Sequence, residues 1–583
     1  MLERAEVKHL CVALLIVMFF ITSIAFSQVP QECLQQTLKY KKMEVLIEPV
    51  WLKGPRKTIY PQSPQPVERL YVFDAFDCDV KTKTLLNTAQ GVINAQIPRF
   101  YLILQKPPET AAAKEDLKTK HDLVWLNWLV HNNYIKEPQL LSSVQQVLDT
   151  FKIKKVILVD PDFPASLNIA TMIASLKGLP VAYPEQVEEY NLEVVEDLKG
   201  RWKTNIEAYS WAFDNLWPQM DHSTIAVLSP TPDISHLRDY LVAKKIFTFW
   251  ITGAEDGDNN YSSPSKEKDA IGQILGKMPV NIPIIGFPWH GGDEIGIGEG
   301  PGVKLFSRYA KFLVPINWKA NLSVWTGLKA KTKTFRQPPP RDITLDYNKV
   351  YVTLLVSDGD NLNTWFDYFP KYWQSPHRGK IPIAWTMGPT LVDLQAPLLD
   401  YYYSTMKDTD SFGTALSGIS YVLPEHYATA YGPERDKIWS DFLRLTNQYM
   451  IRLDQRWIWS AGVGPIKGQN FYDYARSLSN LTAVFDTRGG TTYKNANHLI
   501  EGVAVFHAIN RWGKRVVLES DILSQVADRT PAFLHIILGN WDYSYDDIKQ
   551  LADSFPENFA LVRPEELAQL YRIYKGESQN KKD

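Results

Sequence analysis

Two carboxylates and an amide directly follow an uninterrupted apolar run. The run extends from Val350 to Val356, and Asp358, Gly359, Asp360 and Asn361 come after it. Such a run is typical of a strand buried on both faces, and glycine permits a sharp turn where the strand stops. In open α/β sheets and α/β barrels, ligands bind at the carboxyl ends of strands. We therefore expect a functional site here; the alternative is a polar turn that only ends the strand.

Paired carboxyl groups are the chemistry of glycoside hydrolysis, in which one stays protonated as acid and the other is nucleophile or base. Neighbouring carboxyls raise each other's pKa, which suits one of them to donate a proton. We expect Asp358 and Asp360 to be this catalytic pair, with Glu294, from a second polar cluster, as a third catalytic candidate. Trp289 and His290 of that cluster are expected to contact substrate, although a structural turn is the alternative for His290.

Apolar runs recur after residue 349, with helical segments between them. They are Val350–Val356, Ile381–Trp385, Thr414–Tyr421, Trp457–Ala461, Leu481–Phe485, Gly502–Phe506, Val516–Leu518 and Phe533–Leu538. This alternation predicts an α/β fold whose C-terminal part is a (β/α)8-like barrel. A doubly wound sheet is the alternative.

Polar and aromatic residues stand at several of these strand ends, which is typical of a carbohydrate cleft. The aromatic rings would stack on sugars, and the polar side chains would bind hydroxyls. The predicted substrate-binding residues of this region are Asn361, Trp385, Tyr421, Asp486, Arg488, Asp521 and Trp541. For each aromatic residue, packing in the core is the alternative.

Small α/β units precede this region, each with apolar strands alternating with a helical pattern. A basic and then proline-rich stretch separates them from it. The predicted organisation is a signal peptide at 1–27, an extended lead-in at 28–65, α/β modules at 66–139, 140–222 and 223–330, a linker at 331–346, the barrel-like region at 347–572 and a polar tail at 573–583.

The N-terminus carries the features of an export signal. Arg4 and Lys8 precede an apolar run from Leu10 to Phe26 that ends in small residues. We expect cleavage near Gln28, a periplasmic or secreted protein, and no transmembrane span after cleavage. A retained membrane anchor is the alternative. Cys33 and Cys78 would remain and could form a disulfide outside the cytoplasm.

Composition limits the partners and leaves three functions open. The net charge of −2 gives no reason to expect a nucleic-acid partner. A glycoside hydrolase needs no cofactor, and we expect a carbohydrate substrate. A metal-dependent polysaccharide deacetylase would need a divalent ion and a close His-x-x-x-His pair, and no such spacing occurs after residue 358. The third function is that of a non-catalytic, exported glycan-binding protein.

One segment of the predicted barrel carries a family signature. The stretch Asp410–Pro424 resembles the motif of the GxGYxYP family, which is classed with glycoside hydrolases on fold and pattern. The matching residues are Gly418, Tyr421 and Pro424. Ser420 stands where the motif has its second glycine and Leu423 where it has its second tyrosine, so the backbone shape of the loop and one stacking surface depart from the family pattern.

The resemblance extends over residues 65–572. The aspartate-rich strand end at 357–361, the segment 307–327 and the three N-terminal α/β units all look like parts of the same family. The resemblance implies a bacterial exported protein with a role in glycan breakdown. It does not by itself assign catalytic residues.

Overall fold

The computed structural model of the chain describes most residues after position 57. The described ranges are 58–104, 118–231, 236–256, 260–262, 265–289, 295–461, 469–487, 497–510, 513–526 and 529–580. The predicted signal peptide and most of the lead-in lie outside them.

The first two N-terminal units each contain a three-stranded parallel sheet. In the first, β1 (Tyr71–Asp74) lies between β2 (Phe100–Ile103) and β3 (Gln139–Leu141), with helices α1 (Val80–Asn94), α2 (His121–His131) and α3 (Val144–Thr150). In the second, β4 (Lys155–Leu158) lies between β5 (Val181–Ala182) and β6 (Glu193–Asp197), with α4 (Ser166–Lys177), α5 (Pro184–Glu189) and α6 (Asn205–Asn215). Both have the β-α-β alternation that the sequence predicts.

The third unit has a four-stranded parallel sheet in the order β12-β11-β7-β8. Its strands are β7 (Asp221–Val227), β8 (Ile246–Phe249), the antiparallel pair β9 (Ala254–Asp256) and β10 (Asn260–Ser262), then β11 (Ile282–Gly286) and β12 (Lys311–Val314). Its helices are α7 (Arg238–Lys244), α8 (Ser265–Gly276), α9 (Glu299–Arg308) and α10 (Leu322–Trp325).

The C-terminal region begins with the strand that the sequence places most clearly. Its strands are β13 (Val350–Val356), β14 (Ile383–Thr386), β15 (Asp410–Gly413), β16 (Trp457–Ala461), β17 (Ala483–Thr487), β18 (His498–Ile500), β19 (Val503–His507), β20 (Ala532–Leu538) and β21 (Phe559–Leu561). Its helices are α11 (Leu362–Asp367), α12 (Phe369–Trp373), α13 (Leu391–Leu394), α14 (Ala396–Ser404), α15 (Arg435–Arg452), α16 (Gln469–Ser477), α17 (Ser524–Val526), α18 (Tyr545–Asp553) and α19 (Pro564–Asn580).

Two sheets of this region are linked to each other by two bridges, and their neighbouring strands are parallel except for β18, which is antiparallel to β19. One has the order β15-β14-β13-β20, and the other has the order β16-β17-β19-β18. A parallel bridge between Thr414 and Ile458 joins β15 to β16, and another between Ala508 and His535 joins β19 to β20. These pairings connect β13, β14, β15, β16, β17, β19 and β20 in sequence, and β20 pairs with β13 again.

The predicted eight-stranded barrel is not confirmed. The run 516–518 does not form a strand, and a π-helical turn begins there at Leu518. The third predicted strand lies earlier than expected, at β15, because the backbone from Thr414 to Tyr421 forms bends and single bridges. The fold is a mixed α/β fold with parallel sheets. The predicted polar tail is also partly helical, because α19 continues to Asn580.

The predicted linker at 331–346 has no helix or strand but is packed against the C-terminal region. The Gln337 amide donates to the carbonyls of Phe412 and Asp454 at 2.9 and 2.7 Å. Arg341 forms a two-pronged ion pair with the buried carboxylate of Glu566 at 2.9 and 2.8 Å. These contacts hold the segment that precedes β13 against the C-terminal region.

The hydrophobic core is continuous across the units. One cluster of buried side chains includes Trp125 from the first unit, Trp325 from the third and Trp365 from the C-terminal region. The Trp125 indole donates to the carbonyl of Phe366 at 2.6 Å. Because apolar area is shared in this way, the position of the third unit on the C-terminal sheets is fixed by the core itself.

Candidate active site

The turn after β13 holds its first aspartate in an uncommon backbone conformation. Asp358 has a φ of 61°, in the left-handed region that non-glycine residues seldom adopt. A Cβ on Gly359 would lie 1.5 Å from the carbonyl oxygen of Thr386, so only glycine fits. The Gly359 N–H bonds the Thr386 hydroxyl at 2.8 Å, and the Trp365 indole donates to the Gly359 carbonyl at 3.0 Å. The turn is thereby locked against the end of β14.

A third carboxyl group approaches from the preceding unit. Glu299 is the first residue of α9, where the helix dipole favours negative charge. Its Oε1 accepts a hydrogen bond of 2.9 Å from the hydroxyl of Tyr421. The charge of Glu299 raises the pKa of both Asp358 and Asp360, so the three carboxyls are near enough to influence one another. We call Glu299, Asp358 and Asp360 the acid cluster.

All three carboxyls of the acid cluster have raised pKa values. Burial and then the charges of Asp360 and Glu299 raise the pKa of Asp358 well above its usual range. Burial and the charge of Glu299 raise the pKa of Asp360 to about 7. The loss of water around its carboxyl raises the pKa of Glu299, and the hydrogen bond from Tyr421 opposes this rise. Glu299 keeps access to solvent, so we expect it to ionise before the two aspartates.

The two aspartates have oxygens that are buried without a hydrogen-bond partner. These are Oδ2 of Asp358 and Oδ1 of Asp360. Asp360 is only 4% exposed, whereas Asp358 is half-buried. Buried polar oxygens are normally paired, and one without a partner calls for an explanation such as a bound water, an ion or a catalytic role. The raised pKa values together with these oxygens make the acid cluster a candidate functional site.

The loop after β20 lies beside this turn, because the Ser357 N–H bonds the Leu538 carbonyl at 3.1 Å. The Asn540 amide is fully buried, and neither its nitrogen nor its oxygen has a partner. The Asn540 carbonyl accepts bonds from the hydroxyls of Tyr368 and Tyr372, at 2.7 and 2.8 Å. The next residue is Trp541, whose indole opposes the rise in the pKa of Asp358. The loop thus brings Trp541 and a buried amide close to the turn that carries Asp358.

Other predicted substrate-binding residues lie in different places. Asn361 is the N-cap of α11, and its side chain accepts the Asn363 N–H. Trp385 is fully buried and donates to Asp410 at 2.9 Å, so its ring lies in the core rather than on a sugar-binding surface. Trp289 is half-buried.

Two predicted residues from later strand ends are not brought to the acid cluster by any described contact. Asp486, at the end of β17, is fully buried and lies 3.1 Å from Nδ1 of His507 on β19. Asp521 lies on the π-helical turn, where its carboxyl accepts the Val517 N–H at 2.8 Å. Glu294, His290 and Arg488 lie outside the described residues.

Glu299 is the residue of the acid cluster that the sequence does not single out. The predicted third acid, Glu294, is five positions before Glu299. Both residues follow the same strand, β11. The sequence predicts an acid after this strand, and Glu299 is an acid at the start of α9. Only the packing of α9 on the signature segment places its carboxyl against Tyr421.

The signature segment connects the third unit to the C-terminal sheets. Tyr421 and Leu313 of β12 exchange both backbone hydrogen bonds at 3.0 Å. The Ser420 hydroxyl donates to the Leu313 carbonyl at 2.6 Å, and the Leu423 N–H bonds Oγ of Ser307 at 2.9 Å. Both positions that depart from the signature thus take part in ordinary hydrogen bonding, and neither has a positive φ.

Models of four family domains match the chain. They are the GxGYxYP first domain at residues 69–153, the second domain at 153–220, the third domain at 222–327, and the GxGYxYP putative glycoside hydrolase C-terminal domain at 348–572. The chain belongs to the GxGYxYP family. The acid cluster of this GxGYxYP protein therefore joins its third and C-terminal domains.

A solved structure has the same fold. The chain is similar to a putative hydrolase from Bacteroides thetaiotaomicron VPI-5482, with a TM-score of 0.70 and 19% sequence identity over 88% of this chain and 96% of the other. No curated protein matches the GxGYxYP chain significantly.

Three further findings concern the predictions on metal, membrane and disulfide. Within the described ranges, no three His, Cys, Asp or Glu side chains are grouped to hold a metal ion. No helix among the described residues of this GxGYxYP protein is long and apolar enough to cross a bilayer. Cys78 is half-buried, and because Cys33 lies outside the described residues, their disulfide stays a prediction.

Proposed function

We propose that this protein hydrolyses glycosidic bonds in a poly- or oligosaccharide with the carboxyls of the acid cluster. The observation that carries the proposal is the convergence of Glu299, Asp358 and Asp360, two of which have buried, unpartnered oxygens. Glycoside hydrolysis needs one carboxyl protonated and another ionised at the same pH, and environments that separate pKa values provide this.

The environments support a division of roles. Asp358 is the proton donor, because its pKa is raised well above its usual range and the residue is less buried than Asp360. Glu299 is the ionised nucleophile or base, since a helix N-terminus and the Tyr421 hydroxyl both stabilise its charge. Asp360 is nearly closed off, so its contribution is to keep Asp358 protonated. No cofactor enters this chemistry.

The test is turnover of a glycan panel by the wild type and by Asp358→Asn and Glu299→Gln, followed as release of reducing ends. Each substitution keeps the size of the side chain and removes its ability to ionise. We expect turnover to fall roughly 10²-fold or more, with sugar binding kept. Asp239→Asn is the matched control, because Asp239 is also fully buried with its pKa raised to about 7, but it contacts Ser323 away from the site.

Each alternative function makes a different prediction in the same assay. A deacetylase would release acetate, lose activity with a chelator and regain it with a divalent ion, whereas the hydrolase should be insensitive to chelation. A non-catalytic glycan-binding protein would bind sugars without release of reducing ends, and that outcome would replace the hydrolase proposal.

We also propose that the protein is exported, which would place it with extracellular glycans. The charged and apolar N-terminal sequence supports this. N-terminal sequencing of protein from the producing cell should find a start near Gln28, and an intact Met1 on cytoplasmic protein would exclude export.

A further inference from the structure

An open groove lies beside the acid cluster, between α11–α12 and the loop that follows β20. Its volume is about 580 Å³, and its lining includes Tyr368, Tyr372, Trp541 and Tyr545. Tyr372 and Tyr545 are each 4% exposed and form its floor, whereas Tyr368 and Trp541 are partly exposed and form a wall. We call this feature the aromatic groove. A volume in this range is that of a small-ligand site.

The two wall rings are held rigidly. The ring centroids of Tyr368 and Trp541 lie 5.0 Å apart at an interplanar angle of 52°. The Tyr368 hydroxyl is fixed by its bond to the Asn540 carbonyl, directly before Trp541. Rings that are fixed before a ligand arrives lose little conformational freedom on binding, so their faces are effective contact surfaces.

The lining is balanced in charge. Lys371 and Asp546 are the charged side chains among the lining residues, and both are exposed at the rim. The remaining lining residues carry neutral polar groups or a proline. Flat rings suit the C–H faces of a sugar, and polar groups at the rim suit its hydroxyls. An anionic polymer would gain nothing from a rim whose two charges cancel.

The aromatic groove and the acid cluster meet at the loop after β20. Leu538, at the end of β20, accepts the N–H of Ser357 directly before Asp358, and the Trp541 ring of the loop lies against Tyr368 in the groove. A chain of sugar rings lying along the groove would therefore lead to the proton donor.

We infer that the aromatic groove is the binding subsite for a neutral polysaccharide whose next glycosidic bond lies at the acid cluster. This rests on the proposed function for the bond that is cut, but binding in the groove can be measured without any turnover. The inference adds a place and a charge class for the substrate.

The experiment is calorimetric binding of soluble hexasaccharides to the full chain. The neutral probes are β-1,4-glucan, β-1,4-xylan, β-1,4-mannan and α-1,4-glucan hexamers, and the anionic probe is a galacturonate hexamer. We expect at least one neutral hexamer to bind. Trp541→Ala and Tyr368→Ala should each weaken that binding at least about tenfold, since a central ring is lost.

Two further variants separate a binding role from a structural one. Trp541→Phe keeps a ring and should recover most of the affinity. Tyr472→Ala removes a 41% exposed ring on α16, outside the groove, and should leave binding unchanged.

Each contrary result has a defined meaning. Failure of every neutral hexamer to bind, a preference for the galacturonate hexamer, or unchanged affinity in both alanine variants would overturn the inference. If affinity is unchanged in those variants while Asp358→Asn abolishes turnover, the proposed function stands and the groove assignment fails. If the variants lose affinity but the wild type never cuts, the groove assignment stands and the hydrolase proposal fails.

Discussion

At the scale of single residues, Asp360 illustrates how an ionisable group can weaken the fold that holds it. It is 4% exposed, and its pKa is raised to about 7. A carboxyl with a raised folded-state pKa favours folding while protonated, and this contribution is lost as pH rises from the unfolded value near 4 through about 7. Ionised Asp360 therefore lowers the free energy of unfolding.

Asp360→Asn should therefore stabilise the protein more at pH 8 than at pH 5. Asparagine cannot ionise, so the variant avoids the cost of the buried charge. We expect the gain in free energy of unfolding to be larger at pH 8 by on the order of 1 kcal/mol or more. Calorimetric unfolding at both pH values measures it, with the exposed Asp408→Asn as control. An equal effect at the two pH values would mean that Asp360 is charged throughout.

Tyr421→Phe tests the assignment of Glu299 as the ionised carboxylate. The Tyr421 hydroxyl donates to Oε1 of Glu299 and favours its charged form. Without this bond the pKa of Glu299 rises, so the acidic limb of the pH–rate profile should move up by roughly one pH unit. Tyr427→Phe is the control, because it removes a hydroxyl bonded to Asn281 instead of to an acid. An unmoved acidic limb would remove Glu299 from the ionised role.

The contrast between Asp358 and Trp385 shows what a sequence can predict about a site. Asp358 follows an apolar run whose residues are all buried, so its place at a strand end is a local property that can be read from the pattern. Trp385 also ends a strand, yet its side chain points into the core, and period-two patterns are ambiguous when both faces are apolar. Glu299 depends on packing between residues 122 positions apart, as its bond to Tyr421 shows, and no local pattern encodes that.

At the scale of elements, the turn between β13 and α11 depends on close backbone approach. β13 itself has the predicted bounds, because its composition decides its structure. β15 does not have the predicted bounds. The sequence from Thr414 to Tyr421 is predicted to form a strand, but only its two end residues pair, in single bridges to Ile458 and Leu313. Tertiary contacts override strand propensity at such positions.

Gly359→Ala should disrupt this turn. The added Cβ would lie 1.5 Å from the Thr386 carbonyl, which is backbone and cannot rotate away. We expect a loss in the free energy of unfolding of about 3 kcal/mol or more, together with loss of activity. Gly576→Ala in α19 is the control, since nothing lies within 4 Å of its added Cβ. Equal melting temperatures for the two variants would contradict this account of the turn.

At the scale of the whole molecule, Asn321 ties the third unit to the first. Its φ is 64°, and it is fully buried. Its amide accepts from Gln90 and the Leu102 N–H at 2.6 and 2.8 Å, and donates to the Leu102 carbonyl and Asp122 at 2.9 and 3.1 Å. One side chain therefore satisfies four polar groups at the contact between units.

Asn321→Gly should destabilise the protein without straining its backbone, because glycine also accepts a positive φ. The lost amide leaves buried partners unpaired, so we expect a loss of roughly 3 kcal/mol in the free energy of unfolding. The control is Asn133→Gly, a left-handed but exposed position with a φ of 56°. Thermal unfolding of both variants measures the contribution of the Asn321 amide. If the melting temperature falls equally in both, the effect comes from backbone entropy and not from the amide.

The hydrogen bond between Tyr421 and Glu299 has a consequence for how this protein can evolve. A carboxyl from one inherited module completes a centre whose other two acids belong to another. Loss of the third domain would remove Glu299 and uncover the backbone of Tyr421, which pairs with Leu313 of that domain, in the same event. The proposed hydrolysis therefore requires that the two modules be inherited together, and lineages in which they separate should lose it.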